Sequence, residues 1–199
     1  KILPYEIKES SSGGVEVKEI ENITKKYFSK LKPNTIKDPI KFVASQNKPK
    51  LKVEYKKGEQ AHLILGFLGH HRRHPDRYAE GLLATILGRG MSSRLFTEIR
   101  EKRGLAYAVG TSISRFIDTG VCDTYAGVNP TKINETIKVI FDQSYGVRDG
   151  KFPIKKKELD KAKEYIKGKT ALALEDTSSV NDYIGQRALF LPKIDTPHE

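Results

Sequence analysis

The sequence predicts an α+β fold in which an antiparallel sheet has helices packed on one face. Two pairs of stretches carry the apolar pattern of strands, residues 51–55 with 61–68 and residues 105–117 with 121–128. The stretches between and after these pairs place apolar residues at helical spacing. The predicted element order is therefore ββααββααα, which is typical of helices layered on an antiparallel sheet.

The first strand pair is predicted as a hairpin. Residues 51–55 alternate apolar and polar side chains, and Lys57 and Gly58 follow as a turn. Residues 61–68 are almost continuously apolar, a pattern that predicts a strand buried on both faces.

A glycine-rich turn follows the first of the paired helices. Gly88 and Gly90 flank a single arginine, a spacing that permits positive φ and a sharp reversal. Ser92 and Ser93 come next, and either hydroxyl could cap a following helix. This turn therefore introduces a short helix.

The short helix has a clear apolar face and an arginine at its margin. Arg100 lies four residues after Phe96, so the stem of its side chain should run along the edge of the apolar stripe. Gly104 occupies a C-terminal position suited to glycine. The apolar face consists of Leu95, Phe96 and Ile99.

The second strand pair is longer and is joined by a short turn. Asp118, Thr119 and Gly120 separate a strand that begins at Leu105 from a strand over residues 121–128. In the first of these strands, the odd-numbered positions that share a face with Tyr107 carry large side chains, and the even-numbered positions carry small ones. The large face consists of Leu105, Tyr107, Val109, Ile113 and Ile117, and the small face of Ala106, Ala108, Gly110, Ser112 and Ser114.

The remaining pattern predicts helices and a domain boundary. Val15 and Val17 are interpreted as a strand end, followed by a helix through Leu31. Three prolines within residues 32–50 predict an extended linker. Residues 1–31 are thus expected to end a preceding domain, and residues 51–199 to form a second domain that is incomplete at its C-terminus.

Composition limits the function classes. The formal net charge is +11, but the lysines are scattered and no aromatic platform accompanies them, which disfavours nucleic-acid binding. No apolar run approaches the length of a membrane span. The single cysteine, Cys122, excludes an intramolecular disulfide. A cytoplasmic location is expected, with organellar or periplasmic locations left open.

Three histidines occur within five residues, at His70, His71 and His74. Such a cluster raises the question of a metal site. With no carboxylate or cysteine partner recognised at a ligand spacing, the sequence favours a surface loop over a metal site. No metal ligand is therefore predicted in this chain.

The run GRGMSSRLFTEIREKRGLAY, residues 88–107, resembles the signature of the C-terminal half of the pitrilysin family. That family comprises zinc peptidases, including insulin-degrading enzyme and the mitochondrial processing peptidases. The matching features are the small-residue turn, the Ser-Arg-Leu-Phe at the helix start, the Arg-Glu-Lys followed by Gly-Leu-Ala-Tyr, and the turn at residues 118–120. Weaker similarity extends over residues 15–190.

The resemblance implies a half-unit that closes over a zinc-bearing half like a clamshell. In the family an arginine and a tyrosine seven residues apart contact the substrate, and those positions match Arg100 and Tyr107. Gly90, Ser92 and Ser93 are expected to contribute to peptide binding. The implied partners are a peptide substrate and a catalytic half or subunit that carries zinc on His-x-x-Glu-His. That motif is absent here, so this chain is not expected to be active alone.

Several alternatives stay open from the sequence. Tyr107 could be a core tyrosine, and Arg100 could simply pair with Glu98 or Glu101. The chain as a whole could be an inactive structural subunit of a peptidase-like complex, or an unrelated basic binding module. The presence of both Arg100 and Tyr107 favours a substrate-contacting role over a structural one.

Overall fold

A computed structural model describes residues 9–32, 39–191 and 194. Within them lie three strands, five α-helices and two short helical turns of other types, with the following bounds. The strands are β1 (Ala61–Gly69), β2 (Ala106–Arg115) and β3 (Gly120–Val128), and the α-helices are α1 (Val17–Phe28), α2 (Arg77–Gly88), α3 (Ile133–Arg148), α4 (Lys156–Ala173) and α5 (Thr177–Phe190). A π-helical turn spans Phe96–Glu101, and a 3₁₀ turn spans Pro130–Lys132.

The three strands form one antiparallel sheet in the order β1-β3-β2. Along the first interface Ala61 is opposite Val128 and Gly69 is opposite Gly120. Strands β2 and β3 form the predicted hairpin, closed by a hydrogen bond of 2.9 Å from Phe116 N to Thr119 O. The antiparallel sheet and its association with helices confirm the predicted fold class.

One face of the sheet carries the core. The short helix contributes Leu95 and Ile99, both 0% exposed. Helices α2 and α3 pack into the same cluster, which places the signature sequence at the centre of the fold. The cluster consists of Leu87, Leu95, Ile99, Leu105, Ala106, Ala126, Val128, Val139 and Ile140. Burial of such apolar side chains supplies about 1.5–3 kcal/mol each.

The predicted strand at residues 51–55 is wrong. Leu51, Val53 and Tyr55 are 89%, 77% and 93% exposed, and the segment has no regular structure. Alternation stabilises a strand only when one face is buried. Here the apolar positions pack against nothing in the part of the chain that is described, so β1 pairs with β3 instead of forming a hairpin with this segment.

Strand β1 is not buried on both faces. Positions 61, 63 and 65 are half-buried, whereas Ile64 is 67% exposed. Among the described residues, only the face of β1 that carries positions 61, 63 and 65 is packed against the core. The continuous apolar run of residues 61–68 therefore predicted more burial than β1 has in the structure. The predicted strand end at Val15 and Val17 is also wrong, since Val17 begins α1.

Side-chain caps mark two of the helix starts. Asn129 Oδ1 accepts a hydrogen bond of 3.0 Å from Thr131 N ahead of the 3₁₀ turn and α3. Asp176 Oδ2 accepts one of 2.8 Å from Ser179 N at the start of α5. The backbone bond to the Asp176 carboxylate lowers its pKa. Tyr78 of α2 is 60% exposed, although its helical spacing from Leu82 groups it with the apolar residues of that helix.

Residue contacts divide the chain into two compact units. One comprises Phe42–Ile166 and contains the sheet, α2, α3 and the short helix. The other comprises Lys1–Lys41 with Lys167–Glu199. In the second unit, Ser10 Oγ donates to Asn181 O over 3.4 Å, joining the N-terminal segment to α5.

The predicted domain boundaries at residues 31 and 50 stay a prediction. Residues 39–50 have no helix or strand, while residues 33–38 of the predicted linker lie outside the described residues. The C-terminal end of the predicted second domain, residues 195–199, also lies outside them. Among the described residues, no helix combines the length and apolar character needed to cross a membrane.

Candidate functional site

The short helix after the glycine turn holds the first candidate residue. Thr97 N donates to Ser93 O over 3.0 Å, and Lys102 N then donates to Thr97 O over 2.9 Å. The second bond spans five residues, so the helix widens into a π-helical turn, a feature found frequently at functional sites. Leu95 and Ile99 anchor the turn in the core. Arg100, directly after Ile99, faces outward.

Arg100 is exposed and lies against the ring of Phe96, with its guanidinium carbon 5.0 Å from the ring centroid. This agrees with the predicted path of its stem along the apolar stripe. Glu98, one of its predicted pairing partners, binds Lys102 and Arg103 instead, and hydrogen bonds from these two residues lower the Glu98 pKa. Among the described residues Arg100 forms no ion pair, which leaves its guanidinium open to a ligand.

The chain then reverses at a fixed turn. Gly104 has a φ of +57° and donates from its backbone N to Arg100 O over 3.2 Å. Leu105 N donates to Ile99 O over 2.8 Å, and the Leu105 side chain is buried. Glycine adopts this left-handed conformation without the cost of a Cβ. The turn thus ties the end of the short helix to the start of β2.

Tyr107 lies in a β-bulge. Ala106 is opposite Val128 and Ala108 is opposite Gly127, so Tyr107 is the extra residue between two consecutive positions of β3. Before the bulge the even-numbered residue Ala106 faces the core, and after it odd-numbered residues such as Val109 do so. Tyr107 itself is 62% exposed. A core role for Tyr107 is therefore excluded. The uniform alternation predicted for β2 fails at this residue because of the bulge.

The three residues predicted to bind peptide have different surroundings. Gly90 is exposed with a φ of +83°, and Ser92 is also exposed. Ser93 is buried, and its Oγ has no hydrogen-bond partner, so its side chain does not cap the short helix. A Cβ at Gly90 would lie 3.2 Å from the ring of Tyr165. Of the three, Gly90 and Ser92 present surface.

Arg94, at the start of the short helix, makes contacts that its position in the sequence did not predict. Its guanidinium forms two bonds of 2.8 Å to the Glu158 carboxylate and donates to Phe152 O over 2.8 Å. The hydrogen bonds from Arg94 are the main reason that the pKa of Glu158 is lowered. No spacing rule predicted this pair, since 64 residues separate the two partners.

The histidine loop between β1 and α2 gathers more ligands than its sequence suggested. His70, His74 and Asp76 each offer one ligand atom, and these atoms lie within 4.8 Å of one another. The His70 and His74 rings stack with centroids 3.8 Å apart. Because no carboxylate partner was recognised from the sequence, Asp76, two residues after His74, was missed.

Zinc bound on a His-x-x-Glu-His helix does not fit this chain. The five histidines are His62, His70, His71, His74 and His198, and no two of them bracket a glutamate at that spacing. His62 Nδ1 lies 2.8 Å from the Tyr125 hydroxyl, on a strand and not on a helix. The general base and paired imidazoles of a hydrolytic zinc centre are therefore not supplied by these residues.

Three features together define a peptidase-like domain without its metal centre. They are the antiparallel sheet with helices on one face, an exposed arginine and tyrosine seven residues apart, and the missing zinc motif. Residues 10–166 match the family model described as the peptidase M16 inactive domain. The chain therefore belongs to this family and is the inactive C-terminal half of an M16 zinc protease-like protein.

Relatives of known sequence carry matching names. An uncharacterized zinc protease of Streptomyces coelicolor is 42% identical over 139 residues, which cover 67% of this chain and 29% of the relative. An uncharacterized zinc protease of Rickettsia bellii is 32% identical over 193 residues, which cover 96% of this chain and 45% of the relative. The chain thus spans less than half the length of these relatives.

The fold also matches solved structures. The crystal structure of a protease from Helicobacter pylori is similar with a TM-score of 0.74 and 26% sequence identity. The similarity covers 91% of this chain and 45% of that protein.

Proposed function

We propose that this chain is the substrate-binding, non-zinc half of a zinc-dependent endopeptidase. In this proposal it closes over a catalytic half that carries His-x-x-Glu-His and contacts the bound peptide with Arg100 and Tyr107. The observation that carries the proposal is the outward exposure of both side chains next to a buried, hydrogen-bonded turn. The cytoplasmic location stays a prediction.

Arg100 suits a role in orienting the peptide. Its guanidinium lies over the Phe96 ring, and Glu98 is held by two other cations. A planar guanidinium with free donors binds peptide carbonyls or carboxylates in a defined direction. An arginine that was already ion-paired within the chain would lose less hydration when the two halves close. It would, however, have no free N–H group to donate to the substrate.

Tyr107 suits a role as a hydrogen-bond donor to the reacting carbonyl. The bulge turns it outward while Leu105 and Ala106 keep the flanking backbone in the core. A preorganised donor aimed at a developing oxyanion is worth about 3–4 kcal/mol in a site closed to water. The exposed face of β2 beyond it carries Ala108, Ser112 and Ser114, whose small side chains let an extended peptide approach.

The glycine turn would complete the peptide surface. Gly90 and Ser92 present exposed backbone and hydroxyl groups, and Ser93 would contribute through the backbone conformation that it stabilises. Ser93 N donates to Gly90 O over 3.2 Å, which holds the turn between them.

A Tyr107→Phe substitution tests the oxyanion role in the full-length gene product or in its assembled complex. We expect kcat to fall by about 10²–10³, because one donor to the transition state is removed while the ring is kept. Turnover of a fluorogenic peptide gives kcat and KM separately, and an unchanged KM places the effect in the transition state.

Tyr78→Phe is the matched control, since Tyr78 is 60% exposed in the same compact unit and has no proposed contact with substrate. Full activity in the Tyr107→Phe protein would refute the oxyanion role. Arg100→Lys should raise KM, because a lysine cannot reproduce the planar set of donors.

A further inference from the structure

The loop between β1 and α2 brings two imidazoles and a carboxylate together outside the proposed peptide site. The ligand atoms of His70, His74 and Asp76 lie within 4.8 Å of one another. His74 Nδ1 is 3.8 Å from Asp76 Oδ2, and the two imidazole rings are stacked. Because these ligands are only four and two residues apart in sequence, one loop conformation positions all three.

Hydrogen bonds fix that loop from both ends. His74 N donates to His71 O over 3.0 Å, and Arg77 N donates to His74 O over 3.2 Å at the start of α2. Arg72 N donates to Phe116 O over 3.0 Å, which ties the loop to the β2–β3 turn. A loop held in this way spends little conformational entropy when it binds a ligand.

A largely buried carboxylate lies beside one of the imidazoles. Glu80 Oε1 accepts a hydrogen bond of 3.0 Å from His70 N and lies 3.7 Å from His70 Nδ1. Arg115 holds the other carboxylate oxygen at 2.8 Å. His70 Nδ1 is buried and has no hydrogen-bond partner. A carboxylate beside one ring nitrogen is the usual arrangement that orients a histidine whose other nitrogen binds a metal.

We propose that His70, His74 and Asp76 form a binding site for a transition-metal ion of the Zn²⁺, Cu²⁺ or Ni²⁺ class, with Glu80 as the positioning residue for His70. On binding, the stacked imidazole rings rotate apart so that their lone pairs converge on the ion. Both side chains are partly exposed, which leaves room for this rotation.

The surroundings select the class of metal. Neutral imidazoles suit Zn²⁺, Cu²⁺ and Ni²⁺, whereas Ca²⁺ and Mg²⁺ require several oxygen ligands. The site is not a copy of the family's hydrolytic centre, because neither His70 nor His74 belongs to a His-x-x-Glu-His motif.

Metal binding to the full-length gene product, prepared without a histidine tag, tests the site. Equilibrium dialysis against Zn²⁺ should give one bound ion more per chain in the wild type than in the His70→Ala/His74→Ala variant. Asp76→Asn should weaken the affinity for that ion, and Glu80→Gln should weaken it about 10–100-fold. Electron paramagnetic resonance of bound Cu²⁺ should show two imidazole nitrogens, and one in the His74→Ala protein.

His71→Ala is the matched control, because His71 lies in the same loop but outside the ligand group. It should bind as many ions as the wild type. Equal binding by the wild type and the double variant, or an equal loss in His71→Ala, would overturn the proposal. Thermal unfolding without metal checks that the variants fold. If an alanine variant does not fold, the metal affinity of the Asp76→Asn protein tests the proposal in its place. None of these measurements depends on peptidase activity.

Discussion

At the scale of single residues, two glycines in α2 show how differently the same residue type can be constrained. A Cβ at Gly88 would lie 2.5 Å from Thr111 N and 2.2 Å from Thr111 Oγ1. A Cβ at Gly81 would meet nothing within 4 Å. Gly88 therefore permits the close approach of the end of α2 to β2, whereas Gly81 has no such role.

The Gly81 and Gly88 pair gives a prediction on stability. Gly88→Ala should lower the free energy of unfolding by about 1–3 kcal/mol, because the backbone of β2 must shift. Gly81→Ala should raise it by about 0.5–1 kcal/mol, because alanine is favoured inside a helix. Urea unfolding of both variants provides the measurement, and a stabilised Gly88→Ala protein would contradict the close packing described above.

At the same scale, the exposure of Tyr107 depends on one bulged residue. Ala106 and Val109 both face the core although three positions separate them, which a regular strand does not allow. The spacing of seven between Arg100 and Tyr107 was visible in the sequence. The outward direction of the tyrosine followed from the register of β2 against β3.

At the scale of elements, Arg94 connects the short helix to the start of α4. It donates to Phe152 O and Pro153 O and forms a two-bond ion pair with Glu158. Glu158 Oε2 also accepts from Lys155 N over 3.0 Å, so the same carboxylate caps α4. The guanidinium is largely buried, and this places the contact among the stronger charge-assisted hydrogen bonds.

This ion pair predicts a pH-dependent stability. Hydrogen bonds from Arg94 lower the Glu158 pKa from its ordinary value of 4.5, so the ionised carboxylate stabilises the fold above that pH. The contribution is lost as the pH falls through the lowered pKa. Glu158→Gln should cost about 1.5–3 kcal/mol at pH 7, and the difference from wild type should shrink below about pH 4.5.

Asp149→Asn is the control for this prediction. A hydrogen bond from Arg148 also lowers the Asp149 pKa, but the pair lies at the surface, where water and salt screen it. Its effect on the unfolding free energy should be much smaller at every pH. If the Glu158→Gln and wild-type proteins show the same pH profile in chemical unfolding, Arg94 does not depend on the Glu158 charge.

At the scale of the whole molecule, the chain supplies the fold of a peptidase half without its hydrolytic metal ligands. Residues 10–166 match the M16 inactive domain, and the relatives named as zinc proteases are more than twice as long as the aligned part. In the function proposed above, peptide hydrolysis needs a catalytic half that these 199 residues do not contain, either on the same chain or on a partner.

This gives a prediction for the isolated 199-residue chain. It should not hydrolyse peptides by itself, whereas the full-length gene product, or a mixture with a subunit that carries His-x-x-Glu-His, should do so. Peptide turnover and zinc content, both measured in the His70→Ala/His74→Ala background, separate the hydrolytic zinc from any ion in the histidine loop. Hydrolysis by the isolated chain would contradict the assignment of an inactive half.

The sequence by itself determined the fold class, the β2–β3 hairpin and the family signature around Arg100 and Tyr107. These features depend on local spacing and turn chemistry, which neighbouring residues specify. It did not predict the exposure of residues 51–55 or the contact between Arg94 and Glu158. Burial and long-range ion pairs depend on which segments meet in space.

The histidine loop shows the same division at closer range. The sequence placed its three histidines within five residues. Only the tertiary structure showed that His70 and His74 stack beside Asp76 and that Glu80 of α2 lies against His70. The physical reason is that the direction of a side chain in a loop is set by hydrogen bonds to other elements, here the β2–β3 turn and the first turns of α2.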